Sequence, residues 1–259
     1  ITAQLIDAEQ DHHLWSEKWD KNLEDIFDIQ DEVSASIAAQ INPTLEGYER
    51  DRIERIKPNN FNAWETYLKS LQIFNNRNPS DHEDIELNKA LKLCKEAIEL
   101  DKSMSHAYSL LAKICEWELL QFTTEDSNKT INEMLSYAKK SEELDSKNPI
   151  AAYGIARHYF FSGKFEQAKI YAERAIQLNP SYPDAQNILG QALVHSGKFA
   201  ESEKHFLKAI ELNPLDPNAI LYKDGLYFAQ MGLDNYEKAY SLIEECISQF
   251  SKAGFYKGF

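Results

Sequence analysis

The sequence predicts an all-α protein built from stacked helix pairs, and two observations carry this prediction. The stretch SGKFEQA at 162–168 nearly recurs as SGKFAES at 196–202, and the triplet LNP follows each stretch at the same distance. Gly163 and Gly197 are therefore 34 residues apart, and a fixed period of this length is typical of helical arrays. The 259 residues also include only 9 Gly and 8 Pro, which favours long helices over turn-rich sheet.

The unit at 149–182 shows how each repeat is expected to fold. Apolar residues recur there at spacings of three, four and seven, so they share one face of each of two helices. Small residues such as Ala156 and Ala168 allow the two helices to approach closely. Gly163 is expected to end the first helix in a left-handed conformation, and the LNP triplet is expected to end the second. Each unit is thus predicted to be helix, turn, helix.

The net charge argues against nucleic acid as a partner, and the distribution of apolar residues argues against a membrane. The chain has 28 basic and 42 acidic residues and a net charge of -14, which would repel a phosphate backbone. No apolar run is long enough to span a bilayer, and the first ten residues have neither the basic start nor the apolar middle of a signal peptide. We therefore expect no nucleic acid and no membrane contact by this chain.

The cytoplasm is the favoured compartment, and the periplasmic face of the inner membrane is the alternative if a membrane helix lies upstream.

The Gly-Lys pairs of the repeated stretch do not form a phosphate loop. Such a loop needs a second glycine five residues upstream, but His158 and Ala192 occupy those positions, and it needs Ser or Thr after the lysine, where Phe165 and Phe199 stand. The histidines never adopt the spacing that places two metal ligands on one helical face. The three cysteines fall on packing positions and are predicted to be core thiols: Cys94, Cys115 and Cys246. The sequence therefore predicts no catalytic residues, no metal and no cofactor.

The N-terminal 57 residues follow a different pattern. Residues 1–20 have the composition of a β-hairpin, and residues 21–57 are a linking helical segment whose apolar stripe includes Ile26, Phe27 and Val33. Trp15 and Trp19 share a face of an extended strand, so they need a surface on which to be buried. We expect the hairpin either to dock on the helix at 21–41 or to form a homodimer through its exposed edge.

The repeat pattern resembles the tetratricopeptide repeat, which has a 34-residue period. Residues 183–216 carry the match at Leu189, Gly190, Leu193, Gly197, Phe199, Phe206, Ala209 and Pro214. The resemblance implies a right-handed superhelical solenoid, preceded here by the hairpin, with a groove formed mainly by the first helix of each unit. About five units are expected, at 58–101, 102–148, 149–182, 183–216 and 217–251, and the last one is degenerate. Insertions of about ten residues in the first two units are either surface decoration or functional loops.

The segment that precedes the repeats carries a second resemblance. The stretches TAQLID, HLW and DIFDIQDE, followed by repeats, are similar to the C-terminal region of bacterial class III adenylate/guanylate cyclases with tetratricopeptide repeats and of related winged-helix regulators. The resemblance implies that the hairpin closes an α/β domain like the TolB amino-terminal domain. It also implies the accessory region of a signalling protein. The hairpin turn lacks the glycine common in that family, and no cyclase catalytic segment is present, so the output domain stays open.

The predicted function is therefore a non-catalytic scaffold that binds a protein or peptide in its concave groove. There are two alternatives. The chain is part of an adenylate/guanylate cyclase whose catalytic domain lies outside it, or it is a dimerisation or spacer module. A basic ladder of Lys69, Lys113 and Arg157 along the groove suggests an acidic peptide or a peptide C-terminal carboxylate as the ligand, against the alternative of a merely solvated groove. The candidate groove residues are Lys69, Lys113, Trp117, Tyr153, Arg157, Phe160, Asn187 and Gln191.

Overall fold

The computed structural model of the chain comprises two compact units, residues 1–59 and residues 60–259. The structure describes residues 2–7, 12–19, 32–33, 36–37, 60–77, 85–214 and 219–253.

The N-terminal unit contains the predicted hairpin. Strand β1 (Thr2–Asp7) pairs antiparallel with β2 (His12–Lys18), and a bulge shifts the register between the pairs Leu5/Trp15 and Ile6/His13. The Trp15 and Trp19 rings lie 6.1 Å apart, and Trp19 is only 5% exposed. The Ser36 hydroxyl donates a 2.6 Å hydrogen bond to the Glu17 carboxylate. Most of the predicted apolar stripe, including Ile26 and Phe27, lies outside the described residues.

Ten helices follow in the described part of the second unit, and consecutive helices pack as five antiparallel pairs. The first helices of the pairs are α1 (Phe61–Asn76), α3 (Ser105–Leu120), α5 (Pro149–Phe161), α7 (Pro183–His195) and α9 (Ala219–Gly232). The second helices are α2 (Ile85–Leu100), α4 (Ser127–Leu144), α6 (Phe165–Leu178), α8 (Phe199–Leu212) and α10 (Tyr236–Ala253). The all-α prediction is confirmed.

The helix ends follow the local chemistry of the sequence. α5 begins at Pro149 because the Asn148 side chain accepts a hydrogen bond from the Ile150 amide, and proline fits the first turn. Gly163 ends the same helix with a φ of 70°, as predicted, and Gly197 ends α7 with a φ of 72°. In both turns the next amide donates to a carbonyl five residues back, which is the Schellman arrangement.

The same arrangement ends α3 and α9, but without glycine. Phe122 occupies the left-handed position after α3 with a φ of 56°, and Asp234 occupies it after α9 with a φ of 59°. The amides of Thr123 and Asn235 then donate to carbonyls five residues back, as in the two glycine turns. Four successive helix pairs, from α3/α4 to α9/α10, therefore share one turn geometry, although only two of these turns have the glycine that favours it.

Small residues set the distance between the helices. A side chain added at Gly190 would lie 2.8 Å from the Phe206 ring of α8, so the absence of a Cβ is what admits that ring. Ala156, Ala168 and Ala175 are all fully buried, in agreement with the close approach predicted from the sequence. The first helices also contact each other in succession, α1 with α3, α3 with α5, α5 with α7 and α7 with α9. They form a continuous inner layer.

The described residues also show the state of the three cysteines and the apolar character of the helices. Cys94, Cys115 and Cys246 are buried free thiols, as predicted, and burial raises the pKa of Cys94 and of Cys115 to about 12. Among the helices that the structure describes, none has both the length and the apolar character needed to cross a bilayer.

Candidate binding groove

The inner layer of first helices carries a cleft with a volume of about 190 Å³. Its walls come from the end of α1 and from α3, α5, α7 and α9, so the cleft spans all five units. The lining residues are Phe74, Asn75, Arg77, Lys113, Glu116, Trp117, Leu120, Tyr153, Arg157, Asp184, Asn187, Gln191, Leu221, Tyr222 and Asp224. We call this surface the groove.

A buried ion pair joins α3 to α5 in the wall of the groove. The Arg157 Nε lies 2.8 Å from the Glu116 Oε1, and both residues are less than a tenth exposed. The Tyr153 hydroxyl donates to the same carboxylate at 2.6 Å, and burial raises the pKa of that hydroxyl. Arg157 also donates to the Gln191 amide oxygen of α7 at 2.9 Å. The guanidinium is thus held by partners on both neighbouring inner helices.

A second ion pair joins α3 to α7. The Lys113 ammonium lies 3.0 Å from the Asp184 carboxylate, which also accepts a 2.7 Å hydrogen bond from the Tyr222 hydroxyl of α9. Burial alone would lower the pKa of Lys113, but Asp184 outweighs it, so this pKa stands above its usual value. Burial alone would raise the pKa of Asp184, but Lys113 and Tyr222 hold it below its usual value. Both groups are therefore charged at neutral pH.

An arginine between two aromatic rings forms the α1 end of the groove. The Arg77 guanidinium lies 3.8 Å from the centre of the Phe74 ring and 3.7 Å from the centre of the Trp117 ring. It also donates a hydrogen bond to the Phe74 carbonyl. Cation–π contacts on both faces hold this guanidinium against the wall.

Two hydrogen-bond acceptors at the α7 and α9 end of the groove have no partner among the described residues. Asn187 is 8% exposed, and its side-chain oxygen is buried without a donor. Asp224 forms no ion pair within the described part of the chain, and burial raises its pKa. The neighbouring cation on α9, Lys223, is paired with Glu245 of α10 and does not neutralise it.

The structure brings together six of the eight residues selected from the sequence: Lys113, Trp117, Tyr153, Arg157, Asn187 and Gln191. Lys69 is not among the lining residues. Its side chain is 59% exposed, and its ammonium lies 2.8 Å from Glu65 on the same helix. The reason is a register difference in α1: Ser70 is the small, fully buried residue there, and its hydroxyl donates to the Ala90 carbonyl of α2. The pattern matched to the later units is therefore displaced along α1.

Phe160 also lies outside the lining. Its ring packs 5.6 Å from Phe165 and 5.3 Å from His195, near the turn that ends α5. Its position therefore serves the contact between units.

The predicted basic ladder is neutralised in the folded protein. Lys113 is paired with Asp184 and Arg157 with Glu116, and neither carboxylate was among the candidate groove residues. The pairs could not be predicted from local spacing, because Asp184 lies 71 residues from Lys113 and Glu116 lies 41 residues from Arg157 in sequence. A comparison of the residues at corresponding positions of successive first helices could have indicated them.

Comparisons with known proteins agree with this architecture. Residues 153–217 match the tetratricopeptide repeat family model. The helical array has the fold of tetratricopeptide-repeat solenoids. It is similar to TTC0263, a thermophilic TPR protein of Thermus thermophilus, with 16% identity over 76% of this chain and 98% of the other, and a TM-score of 0.51. Pseudomonas aeruginosa PilF is also similar, with 18% identity over 74% of this chain and 76% of the other, and a TM-score of 0.50.

A curated relative is similar in sequence to the larger part of this chain. It is the Rhizobium meliloti (strain 1021) protein named "Putative adenylate cyclase 3", which is 27% identical over 169 residues, or 65% of this chain. The matched region spans 28% of that relative's length. The TolB-like and winged-helix parts of the resemblance stay predictions.

Proposed function

We propose that this chain is a non-catalytic protein–protein interaction scaffold, which binds a peptide or a partner segment in the groove of the solenoid. The proposal assigns it to the sensory or regulatory region of a bacterial signalling protein. The observation that supports it best is the groove itself, which draws side chains from all five first helices into one continuous surface.

The composition of the groove supports a recognition role. The partly exposed side chains of Leu120 and Leu221 offer apolar contact area in the groove, while polar groups beside them are positioned by hydrogen bonds. Ligand sites typically combine these two features, apolar surface and a few fixed polar groups. Ion pairs between first helices, α3 with α5 and α3 with α7, hold the groove in one shape, so a ligand would meet a largely preformed surface.

Selection from a displayed random peptide library on the 259-residue chain tests the proposal. Gln191→Trp would fill the groove, because Gln191 lines it, whereas Gln167→Trp introduces the same ring at an exposed position of α6. We expect selected peptides to bind the Gln191→Trp variant at least about tenfold more weakly, a loss of about 1.4 kcal/mol, and to bind the Gln167→Trp variant like the parent. Equal binding to both variants, or no selected peptide at all, would contradict the groove as the binding surface.

A second candidate function is the accessory region of a nucleotide cyclase whose catalytic domain lies elsewhere in the protein. The similarity to the Rhizobium meliloti relative favours it. Cyclic AMP formation by the complete gene product, compared with the 259-residue chain, tests it. We expect turnover by the complete protein alone, and turnover by the chain itself would overturn the non-catalytic assignment.

A further inference from the structure

The charges of the groove separate into paired and unpaired groups, and this separation indicates what the groove binds. Six charged side chains line it: Arg77, Lys113, Arg157, Glu116, Asp184 and Asp224. Lys113 is neutralised by Asp184 and Arg157 by Glu116, while Arg77 lies between two rings at the α1 end. The carboxylate of Asp224, at the α9 end, forms no ion pair among the described residues, and the neighbouring Lys223 is paired with Glu245.

Asn187 is a second unsatisfied acceptor at this end of the groove. It lies on α7, which packs against the α9 helix that carries Asp224. Its side-chain oxygen has no hydrogen-bond donor among the described residues, although the residue is more than nine-tenths buried. An unmade hydrogen bond of this kind is unfavourable, so a buried polar group is usually matched by a partner. Asn187 lines the groove, so its carboxamide borders the space that a ligand side chain would enter.

We infer that the α7 and α9 end of the groove binds a lysine or arginine side chain of a peptide ligand, with the Asp224 carboxylate and the Asn187 amide oxygen as its acceptors. This inference rests on the proposed function and gives its ligand a chemistry. A cationic side chain would supply both the missing donor for Asn187 and the missing counter-charge for Asp224. Acidic peptides, which the sequence suggested, would meet Asp224 and the already neutralised cations.

Neutral donors fit this end of the groove less well. A backbone amide would satisfy Asn187 but would leave Asp224 without a counter-charge, and the carboxylate would be further desolvated under the ligand. Hydrogen bonds between ionised partners are about twice as strong as neutral ones. The side chain of Leu221, which also lines the groove and is partly exposed, can contact the apolar stem of a long basic side chain.

A positional-scanning library of capped hexapeptides on the immobilised 259-residue chain tests the inference. One position at a time is fixed as Lys, Arg, norleucine, Gln or Glu. We expect Lys and Arg to be enriched over norleucine at one position by at least about tenfold, as charge-assisted hydrogen bonds imply. Asp224→Asn and Asn187→Leu should each reduce that enrichment to near parity. Glu211→Gln, which removes a carboxylate from an exposed pair on α8, is the control and should keep it.

Each outcome decides a separate question. Retained peptides without a basic preference, with an acidic preference, or with the same basic preference in the Asp224→Asn variant would overturn the inference and leave the proposed function standing. Failure of the parent chain to retain any peptide would overturn both. Because Asp224 has no partner to lose among the described residues, the Asp224→Asn variant should fold, with a melting temperature equal to that of the parent or up to about 3 °C higher. The Asp224→Asn variant therefore tests the binding of a basic side chain even if the Asn187→Leu variant does not fold.

Discussion

Lys113 and Asp184 are 71 residues apart in sequence, yet their side chains meet at 3.0 Å and join α3 to α7 across the intervening first helix, α5. Tyr222 of α9 extends the link by donating to the same carboxylate. In a solenoid each unit ordinarily contacts only its neighbours. This ion pair therefore couples units that the repeat architecture alone would leave independent.

Asp184→Asn should destabilise the solenoid at neutral pH. The substitution keeps the shape of the side chain but leaves the Lys113 ammonium, which is 28% exposed, without its counter-charge. We expect a loss of about 1–3 kcal/mol in the free energy of unfolding, measured by urea titration at about pH 7. Glu211→Gln breaks an exposed pair on α8 and should cost less than about 1 kcal/mol.

The same ion pair should weaken in acid. The pKa of Asp184 is lower in the folded protein than its ordinary value, so the stabilisation is complete above the ordinary value. It is lost as the pH falls through the lower, folded pKa. The stability difference between the parent and the Asp184→Asn variant should therefore shrink below about pH 4, the ordinary range of an aspartate. A difference that stays constant down to about pH 2 would show that Asp184 acts through something other than its charge.

The repeat period made the helical skeleton predictable, whereas the groove required the structure. The turns at Gly163 and Gly197 could be predicted from the sequence, because glycine accepts the left-handed conformation at little cost. Phe122 adopts the same turn without any such signal. Likewise Trp117 and Gln191 could be placed in the groove from helix position, but the carboxylates that neutralise Lys113 and Arg157 could not, since long-range pairing depends on the packing of whole helices.

Gly190→Ala should destabilise the contact between α7 and α8. The added Cβ would lie 2.8 Å from the Phe206 ring, closer than real Cβ contacts allow, so the ring must shift. We expect a cost of about 1–3 kcal/mol in unfolding free energy by overpacking. In a Phe206→Leu background the same substitution should cost less, and a double-mutant cycle measures the difference.

Gly163→Ala provides the comparison. No heavy atom of the described residues lies within 4 Å of a Cβ added there, and the φ of 70° is the source of strain. Its cost, about 1 kcal/mol, should be the same in the parent and in the Phe206→Leu background. Equal behaviour of the two glycines in the cycle would contradict the steric role assigned to Gly190.

Phe122→Gly should stabilise the protein, against the usual direction for removal of an aromatic residue. Phe122 is 91% exposed, so its ring contributes little burial, and its φ of 56° is strained for any residue with a Cβ. Glycine removes this strain at the cost of a more flexible unfolded chain, so we expect a net gain of about 0.5–1 kcal/mol, seen as a higher melting temperature. Phe122→Ala keeps the strained Cβ and should give no such gain.

The hairpin offers a test that separates docking within one chain from dimerisation. Trp19 is 5% exposed within a single chain, and Ser36 donates to Glu17 of β2, so the described contacts of the N-terminal unit need no second copy. We predict that the hairpin docks on the segment that follows it and that the chain is monomeric by light scattering. Trp19→Phe should remove a blue-shifted, iodide-protected component of the tryptophan emission, whereas Trp15→Phe, at a half-buried position of β2, should remove a more accessible one. Deletion of residues 1–20 should then leave the mass at that of one chain. A mass of two chains that falls to one on deletion would show that the exposed edge of the hairpin joins two copies instead.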